Sequence, residues 1–294
     1  MASQSIAFPV PEISPCQDRI TIIGGGIVGS ALAVYLSTNN PDSQIFLLDS
    51  SPPSTAGSTA IAPGLVGQFN TIPYLTAMAK ESVTAYSKAP GGFQNVGGLE
   101  IASTAEGIAN LRARHELAKA AGLEAELLTS TQVAEIAPDF HAEDETSVGL
   151  LFPGDGTADP PLIVKYYQEQ ATANGVCIMA ENVSGISVGE DGKFSLDTSQ
   201  GHLKTNKLIV AAGIWTPNLA NSLGIDLPIV PVAHPYAYGP TRPRREKQQP
   251  FLRWPERHVY ALDHGECDGL GSYSHKPIAV APGQSALSQL GPDP

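Results

Sequence analysis

The order of apolar and polar residues becomes regular only from Arg19 onward. Residues 1–18 contain three prolines and no periodic pattern, so we expect a loose N-terminal lead-in. An apolar, β-branched run at residues 20–23 predicts a buried strand, and the apolar stretch 31–36 predicts a packed helix. A second apolar run at 45–48 predicts another strand. Together these segments predict a strand–helix–strand unit with parallel strands.

Beyond this unit the pattern predicts both helices and strands. Residues 50–70 are rich in Ser, Thr, Pro and Gly and predict a long loop. After it, apolar residues at helical spacing, Leu75 and Met78 among them, predict a helix with a buried face. Further helices are expected at 105–121, shortly before Pro138 and at 161–174, and further strands at 99–102, 148–152, 176–179, 186–188, 194–197 and 208–212.

Composition and charge limit the classes of function. A chain of 294 residues that is 42% hydrophobic can form one large or two ordinary domains. Its net charge of -12 argues against nucleic acid and anionic membranes as partners, and no apolar run approaches the roughly 20 residues of a membrane span. Three scattered cysteines favour neither a metal cluster nor a disulfide framework. Because the N-terminus also lacks signal- and transit-peptide features, we expect a soluble, cytoplasmic protein.

The glycines between the first predicted strand and helix carry the clearest chemical signal. Gly24 allows a tight turn, Gly26 lets the backbone approach a phosphate, and Gly29 lets the helix pack against the strand. Asp49 follows Gly29 by twenty positions, where a carboxylate accepts hydrogen bonds from ribose hydroxyls. We therefore predict a dinucleotide site. The loop alone leaves FAD and NAD open, and a glycine-rich turn beside a surface aspartate is the structural alternative.

Other segments resemble a known family. Residues 57–66, 152–157 and 210–215 resemble the D-amino-acid-oxidase-like flavoprotein superfamily. Within this superfamily, residues 232–236, 264–265 and 269–277 are most similar to the dimethylglycine oxidase and sarcosine dehydrogenase branch. The likeness runs from about Arg19 to Val280. It implies an α/β fold (α+β overall), with a Rossmann-like FAD-binding domain and a smaller, discontinuous and apparently incomplete substrate domain. We assign residues 19–92 and 146–228 to the first domain, 93–145 and 229–280 to the second, and 281–294 to a disordered tail.

The resemblance implies FAD as the cofactor and indicates which residues bind it. The predicted cofactor-binding residues are Gly24, Gly26, Ile27, Val28, Gly29, Asp49, Ser50, Ser58, Thr59, Ala62, Pro63, Gly64, Val183, Ala211, Ala212, Gly213 and Trp215. Val183 is expected on the adenine side. The branch links FAD covalently through a histidine, but Ile61 occupies that position here, so we predict non-covalent FAD.

The resemblance also implies a catalytic pair, His234 and Tyr260, with His264 and His275 as second choices. Without it, either member of the pair is more simply a structural residue. Histidine exchanges protons near neutral pH, and a tyrosine hydroxyl can orient an amine or a carboxylate. The implied reaction is hydride transfer to flavin from the C–N bond of a small secondary or tertiary, N-methylated amine or amino acid. No metal is expected.

The substrate is less well defined than the reaction. A substrate carboxylate usually needs an Arg or Lys partner, and the candidates are Arg242, Arg244, Arg245 and Lys276. Leu262 occupies a position where the branch tends to carry arginine, so a larger natural-product amine is an alternative substrate.

The family continues beyond the position of Pro277, so we expect a truncated chain and keep open a non-catalytic flavin-binding or partner-binding relative. An NAD-dependent dehydrogenase is the other alternative. The electron acceptor and the oligomeric state are left open.

Overall fold

The computed structural model describes residues 18–51, 57–140 and 146–280. The predicted tail, and all but the last residue of the predicted lead-in, lie outside these ranges. The strands are β1 (Arg19–Ile23), β2 (Gln44–Asp49), β3 (Leu65–Val66), β4 (Phe93–Gln94), β5 (Gly98–Ala102), β6 (Glu126–Thr129), β7 (Val148–Phe152), β8 (Gly156–Ala158), β9 (Cys177–Ala180), β10 (Val183–Val188), β11 (Phe194–Thr198), β12 (Gly201–Thr205), β13 (Lys207–Val210), β14 (Val232–Ala233), β15 (Tyr236–Tyr238), β16 (Phe251–Trp254), β17 (Val259–Asp263), β18 (Asp268–Ser272) and β19 (Ile278–Ala279). The α-helices are α1 (Ile27–Asn39), α2 (Ser58–Ile61), α3 (Pro73–Tyr86), α4 (Ala105–Ala120), α5 (Ser130–Ile136), α6 (Pro160–Ala173) and α7 (Thr216–Asn221), and short 3₁₀ helices span Gly213–Trp215 and Pro255–Arg257.

The chain divides into two compact units, and the first contains the described residues up to 62 together with 160–231. A parallel sheet of order β13-β1-β2-β9 lies at its centre. Apolar side chains of α1 and α6 pack on one face of this sheet, and the antiparallel meander β10-β11-β12 and α7 pack on the other. Because both faces are covered, β1 and β2 are buried at nearly every position rather than at every second one.

The second unit comprises residues 63–159 and 232–280. Its main sheet has the order β15-β18-β17-β16-β5-β7-β6, in which only β16 and β5 run parallel. On one face, α4 packs against Leu150 and Phe152. On the other, α5 packs against Leu99, Leu252 and Ala261. The strands β3, β8 and β4 form a small second sheet.

The α/β fold is confirmed, and the helices and strands that the pattern predicted lie close to their predicted positions. The pattern did not predict α7, or the second-unit strands β4, β6, β8 and β14–β19. The predicted loop 50–70 contains the short α2 and β3, and β12 has no counterpart in the prediction. Residues 63–92 and 146–159, assigned from the sequence to the FAD-binding domain, belong to the second unit because β3 and β4 both pair with β8. Among the described residues, no helix is long and apolar enough to cross a membrane.

Candidate functional site

The turn from β1 into α1 is built from glycines for steric reasons. Gly24 has φ +106°, and a Cβ at this position would collide with the Ala211 carbonyl. A Cβ at Gly29 would collide with the Gly24 carbonyl, so this glycine allows the helix to approach the strand closely. The N–H of Gly24 donates to the Leu48 carbonyl at 2.8 Å, and the N–H of Ala211 donates to the Ile23 carbonyl at 2.7 Å. The turn is thereby held against both neighbouring strands.

The N-terminus of α1 is suited to an anion. Gly26 is the N-cap and offers no side chain, and the first turn of the helix contains no acidic residue. The Ile27 N–H donates to the Thr59 hydroxyl at 3.2 Å, which brings the segment 57–66 to the start of this helix. The remaining N–H groups and the helix dipole are the features that bind phosphates at helix N-termini.

Asp49 ends β2 with its carboxylate held by backbone donors. One oxygen accepts from the Gly25 N–H at 2.6 Å, and the other accepts from the Ser51 N–H at 2.8 Å. Each carboxylate oxygen has further acceptor capacity, so the fixed group can still accept from ribose hydroxyls. Its charge also disfavours a 2′-phosphate.

Two buried residues that were not predicted support the turn from behind. The amide of Gln168, on α6, donates to the Gly25 carbonyl at 3.0 Å and to the Ser30 hydroxyl at 3.2 Å. Ser30 donates to the same carbonyl at 2.8 Å. Nothing in the local sequence distinguishes Gln168, because the contact depends on how α6 packs against α1.

A cavity of about 530 Å³ opens at this turn, and the first unit supplies every residue that lines it. Most predicted cofactor-binding residues line this cavity, namely Gly24, Gly26, Ile27, Val28, Asp49, Ser50, Ser58, Thr59, Val183, Ala211, Ala212, Gly213 and Trp215. Gly29 lies behind it in the helix contact. Ala62 follows α2, and Pro63 and Gly64 begin the second unit; these three do not line the cavity.

The cavity fits the nucleotide end of FAD. It combines an anion-binding helix N-terminus, a fixed carboxylate and the strand start at Val183 within a volume typical of small-molecule sites. Gly57 has φ +82°, and a Cβ there would lie 3.3 Å from the ring of Trp215, so the glycine leaves room for this aromatic side chain. Further lining residues that the sequence did not indicate include Asn218 and Leu219 of α7.

The second unit brings His234 and Tyr260 together. The His234 Nε2 and the Tyr260 hydroxyl are 2.9 Å apart, although 26 residues separate them in the chain. The ring of Tyr273 stacks on His234 with centroids 4.2 Å apart, and His275 lies 5.8 Å away on the same measure. The predicted pair therefore lies within a larger aromatic cluster.

A second pair of the same kind extends this cluster. The Tyr236 hydroxyl and the His264 Nε2 are 2.7 Å apart, and the Tyr236 ring stacks on Tyr260 at 5.9 Å. Tyr236 was not predicted, because only the strand register places it beside the pair.

Burial favours the neutral forms of His234, His264 and Tyr260, because it shifts the pKa of each group in the direction that disfavours the charged form. Partial burial lowers the pKa of His234, with a smaller contribution from His275, and burial also lowers the pKa of His264. Burial, and then the proximity of Tyr273, raises the pKa of Tyr260 to about 12. His234 is thus a neutral imidazole that can accept a proton, and Tyr260 is a hydroxyl that can donate a hydrogen bond.

Glycines in β18 make room for the tyrosine rings. Tyr236 and Tyr260 are the cross-strand neighbours of Gly271 on its two sides. A Cβ at Gly271 would collide with the Tyr260 ring, and one at Gly269 would collide with the Tyr236 hydroxyl. The two glycines of β18 therefore leave the space that the rings of Tyr236 and Tyr260 occupy.

Two of the predicted carboxylate partners are engaged by aspartates of the protein. Arg242 contacts Asp263 at 2.8 Å and Asp268 at 2.7 Å. Arg245 contacts Asp139 at 2.6 Å and Asp268 at 2.7 Å. This network holds the segment between β15 and β16 in place. No group of His, Cys, Asp and Glu that could hold a metal ion occurs in the described part of the chain.

Comparisons with known proteins agree on one family. Residues 19–273 match the family model described as DAO, FAD dependent oxidoreductase. The chain is 29% identical over 272 residues to mitochondrial dimethylglycine dehydrogenase of Rattus norvegicus. This alignment covers 89% of this chain and 31% of that protein. It is 28% identical over 228 residues to 4-methylaminobutanoate oxidase (formaldehyde-forming) of Paenarthrobacter nicotinovorans, covering 75% of this chain and 27% of that protein.

The fold is also similar to solved structures. The crystal structure of L-proline dehydrogenase from P. horikoshii matches with a TM-score of 0.78 at 22% sequence identity, covering 90% of this chain and 71% of that one. The chain spans less than a third of the length of the two curated relatives above.

Proposed function

This chain belongs to the DAO family of FAD-dependent oxidoreductases, and on that premise we propose that it oxidises a C–N bond of a small secondary or tertiary, N-methylated amine or amino acid. The observation that carries the proposal is the hydrogen-bonded pair of His234 and Tyr260 inside a cluster of tyrosines and histidines. Relatives named for dimethylglycine and 4-methylaminobutanoate support the substrate class.

The protein's groups would prepare the amine for oxidation. His234, neutral at pH 7 because its pKa is lowered, accepts a proton from the substrate ammonium and leaves the nitrogen lone pair available. In the tautomer that this step requires, the Nε2–H of His234 donates to the Tyr260 hydroxyl, which fixes the orientation of the ring and leaves the Nδ1 lone pair to accept the proton. When bound, FAD supplies the acceptor for the hydride that leaves the carbon next to nitrogen. Water then hydrolyses the resulting iminium to the demethylated amine and an aldehyde.

We propose that the same residues that line the cavity of the first unit hold FAD. Asp49 would accept from the ribose, the N-terminus of α1 would bind the pyrophosphate, and Val183 would contact the adenine. We further propose non-covalent binding, because Ile61 ends α2 with an aliphatic side chain that cannot form the covalent link of the family branch. Acid precipitation should therefore release all of the flavin into the supernatant, whereas colour in the pellet would contradict non-covalent binding.

The products test the reaction directly. The FAD-loaded chain is incubated with dimethylglycine that carries deuterium in its methyl groups, and the products are identified by mass spectrometry. The proposal predicts sarcosine that retains one labelled methyl group, together with labelled formaldehyde. Dimethylamine and glyoxylate would show oxidation at the wrong carbon. Absence of product with dimethylglycine, sarcosine and larger N-methyl amines would favour a non-catalytic flavin-binding protein.

A further inference from the structure

A row of side chains crosses the main sheet of the second unit at the level of Tyr260. The register pairs Tyr236 with Gly271, Gly271 with Tyr260, Tyr260 with Arg253, and Arg253 with Glu100. Cross-strand partners point to the same face of a sheet and lie about 5 Å apart at Cβ. Arg253 is therefore the immediate neighbour of Tyr260 on the face that carries the aromatic cluster.

The guanidinium of Arg253 retains most of its hydrogen-bonding capacity. In the described ranges its one ion pair joins Nη1 to the Glu100 carboxylate at 3.6 Å. That carboxylate already accepts two shorter bonds from Arg114, at 2.8 and 2.9 Å. The Arg253 side chain is half exposed, whereas that of Glu100 is 6% exposed. A guanidinium has five N–H donors, and that of Arg253 uses only one long contact among the described residues, so it can still bind an incoming carboxylate.

The local charge also favours an anion. Two guanidinium groups, those of Arg114 and Arg253, face the single carboxylate of Glu100, so these three groups carry one excess positive charge. The carboxyl group of Asp155 also interacts with these charges, and burial raises its pKa to about 7. This acid therefore cancels only part of the excess at neutral pH.

We propose that Arg253 binds the carboxylate of an amino-acid substrate and so selects for N-methylated amino acids over amines without an acid group. This proposal rests on the proposed function. Arg242 and Arg245 are already paired with aspartates, and Leu262, on the same face as Tyr260, offers no charge. Arg253 is the cation that the sheet register places beside the pair of His234 and Tyr260.

Substrates with and without a carboxylate separate this role from a structural one. Flavin reduction is followed in the FAD-loaded full chain with dimethylglycine and with its neutral amide. Arg253→Gln should lower kcat/KM for dimethylglycine by about 10- to 100-fold, the usual contribution of a charge-assisted hydrogen bond, and leave the amide unchanged. Arg253→Lys should fall between. Arg257→Gln, an exposed arginine on the following turn, is the matched control and should behave as wild type.

Where wild type reacts with both substrates, a loss in Arg253→Gln with both of them, or with neither, would overturn the role of Arg253. A loss confined to dimethylglycine in Lys276→Gln but absent in Arg253→Gln would also overturn it. Binding of methoxyacetate, a carboxylate without an oxidisable amine, is measured in parallel through its effect on the flavin spectrum. Weaker binding in both Arg253 variants supports the proposal even if no amine reduces the flavin, in which case the proposed function alone fails. Unchanged binding in Arg253→Lys and Arg253→Gln refutes the proposal whether or not the amines react.

Discussion

His234 and Tyr260 form a pair whose pKa values move away from neutrality in opposite directions. The pKa of the histidine is lowered by burial and that of the tyrosine is raised to about 12, so both are neutral over a wide range around pH 7. A neutral base beside a neutral donor is suited to taking a proton from an ammonium group.

Replacing His234 by Ala should slow flavin reduction by dimethylglycine by about 100-fold or more, the usual contribution of a positioned general base. FAD affinity should not change, because only residues of the first unit line the nucleotide cavity. Stopped-flow reduction and a fluorescence titration with FAD measure the two quantities. Unchanged reduction kinetics would remove His234 from the mechanism.

Asp155 is a buried acid whose ionisation opposes folding. Its side chain accepts from the Gln68 N–H at 2.8 Å, but it is 4% exposed, and burial raises its pKa to about 7. The unfolded pKa is near 3.8. Between these values the folded state binds a proton that the unfolded state has released, so stability is complete below about pH 4 and falls as pH rises through 7.

Asp155→Asn should remove this pH dependence. The variant should unfold at a higher denaturant concentration than wild type at pH 8, with a gain of at most about 4 kcal/mol that disappears toward pH 4. Urea unfolding across this range measures the effect, and the exposed Asp226→Asn is the control. A constant difference between Asp155→Asn and wild type at all pH values would contradict this interpretation.

Site residues that a local turn or a fixed spacing requires were predictable from the sequence. Site residues that reach their positions through tertiary packing were not. Gly24 and Gly29 are required by the turn itself, and Asp49 follows from the spacing of the strand and helix. Gln168 and Tyr236 reach their positions through helix packing and strand register, so no pattern along the chain indicates them. Arg253 was likewise not predictable, because only the pairing of β16 with β17 places it beside Tyr260.

At the scale of elements, the spacing of apolar residues predicts where a helix lies more reliably than it predicts which of its faces is buried. The spacing of apolar residues predicted α3, which spans Pro73–Tyr86, but Leu75 and Met78 on its expected buried face are 41% and 47% exposed. The short strands β3, β4 and β8 were harder to predict because two or three residues show no alternation. Their pairing nevertheless decides which unit residues 63–92 join.

The strand β18 is the element that shapes the aromatic cluster. In Gly271→Ala the new methyl group would push the Tyr260 ring away from His234, and a displacement near 1 Å can cost about 100-fold in rate. We therefore expect slower flavin reduction and a loss of stability of about 1 to 3 kcal/mol, because the displaced Tyr260 ring is buried. Leu270→Ala, whose side chain points to the other face, should have little effect on the rate. Equal effects in the two variants would contradict this role of the glycine.

At the scale of the whole molecule, each unit has its own core and contains a different part of the proposed site. The first unit supplies the turn, the carboxylate and the nucleotide cavity, and the second supplies the histidines, the tyrosines and Arg253. The sequence indicated most of the residues that line the cavity of the first unit, because the glycine turn after the first parallel strand has a recognisable local pattern. The cluster of the second unit needed the family resemblance, because antiparallel register brings distant residues together.

The central claim is that this chain binds FAD and oxidises N-methylated amines. The most direct measurement is the absorption spectrum of the FAD-loaded chain, recorded without oxygen before and after mixing with dimethylglycine. We predict a yellow protein whose flavin band bleaches at a rate that saturates with dimethylglycine concentration. A chain that retains no flavin, or retains flavin that neither dimethylglycine nor sarcosine bleaches, would contradict the claim.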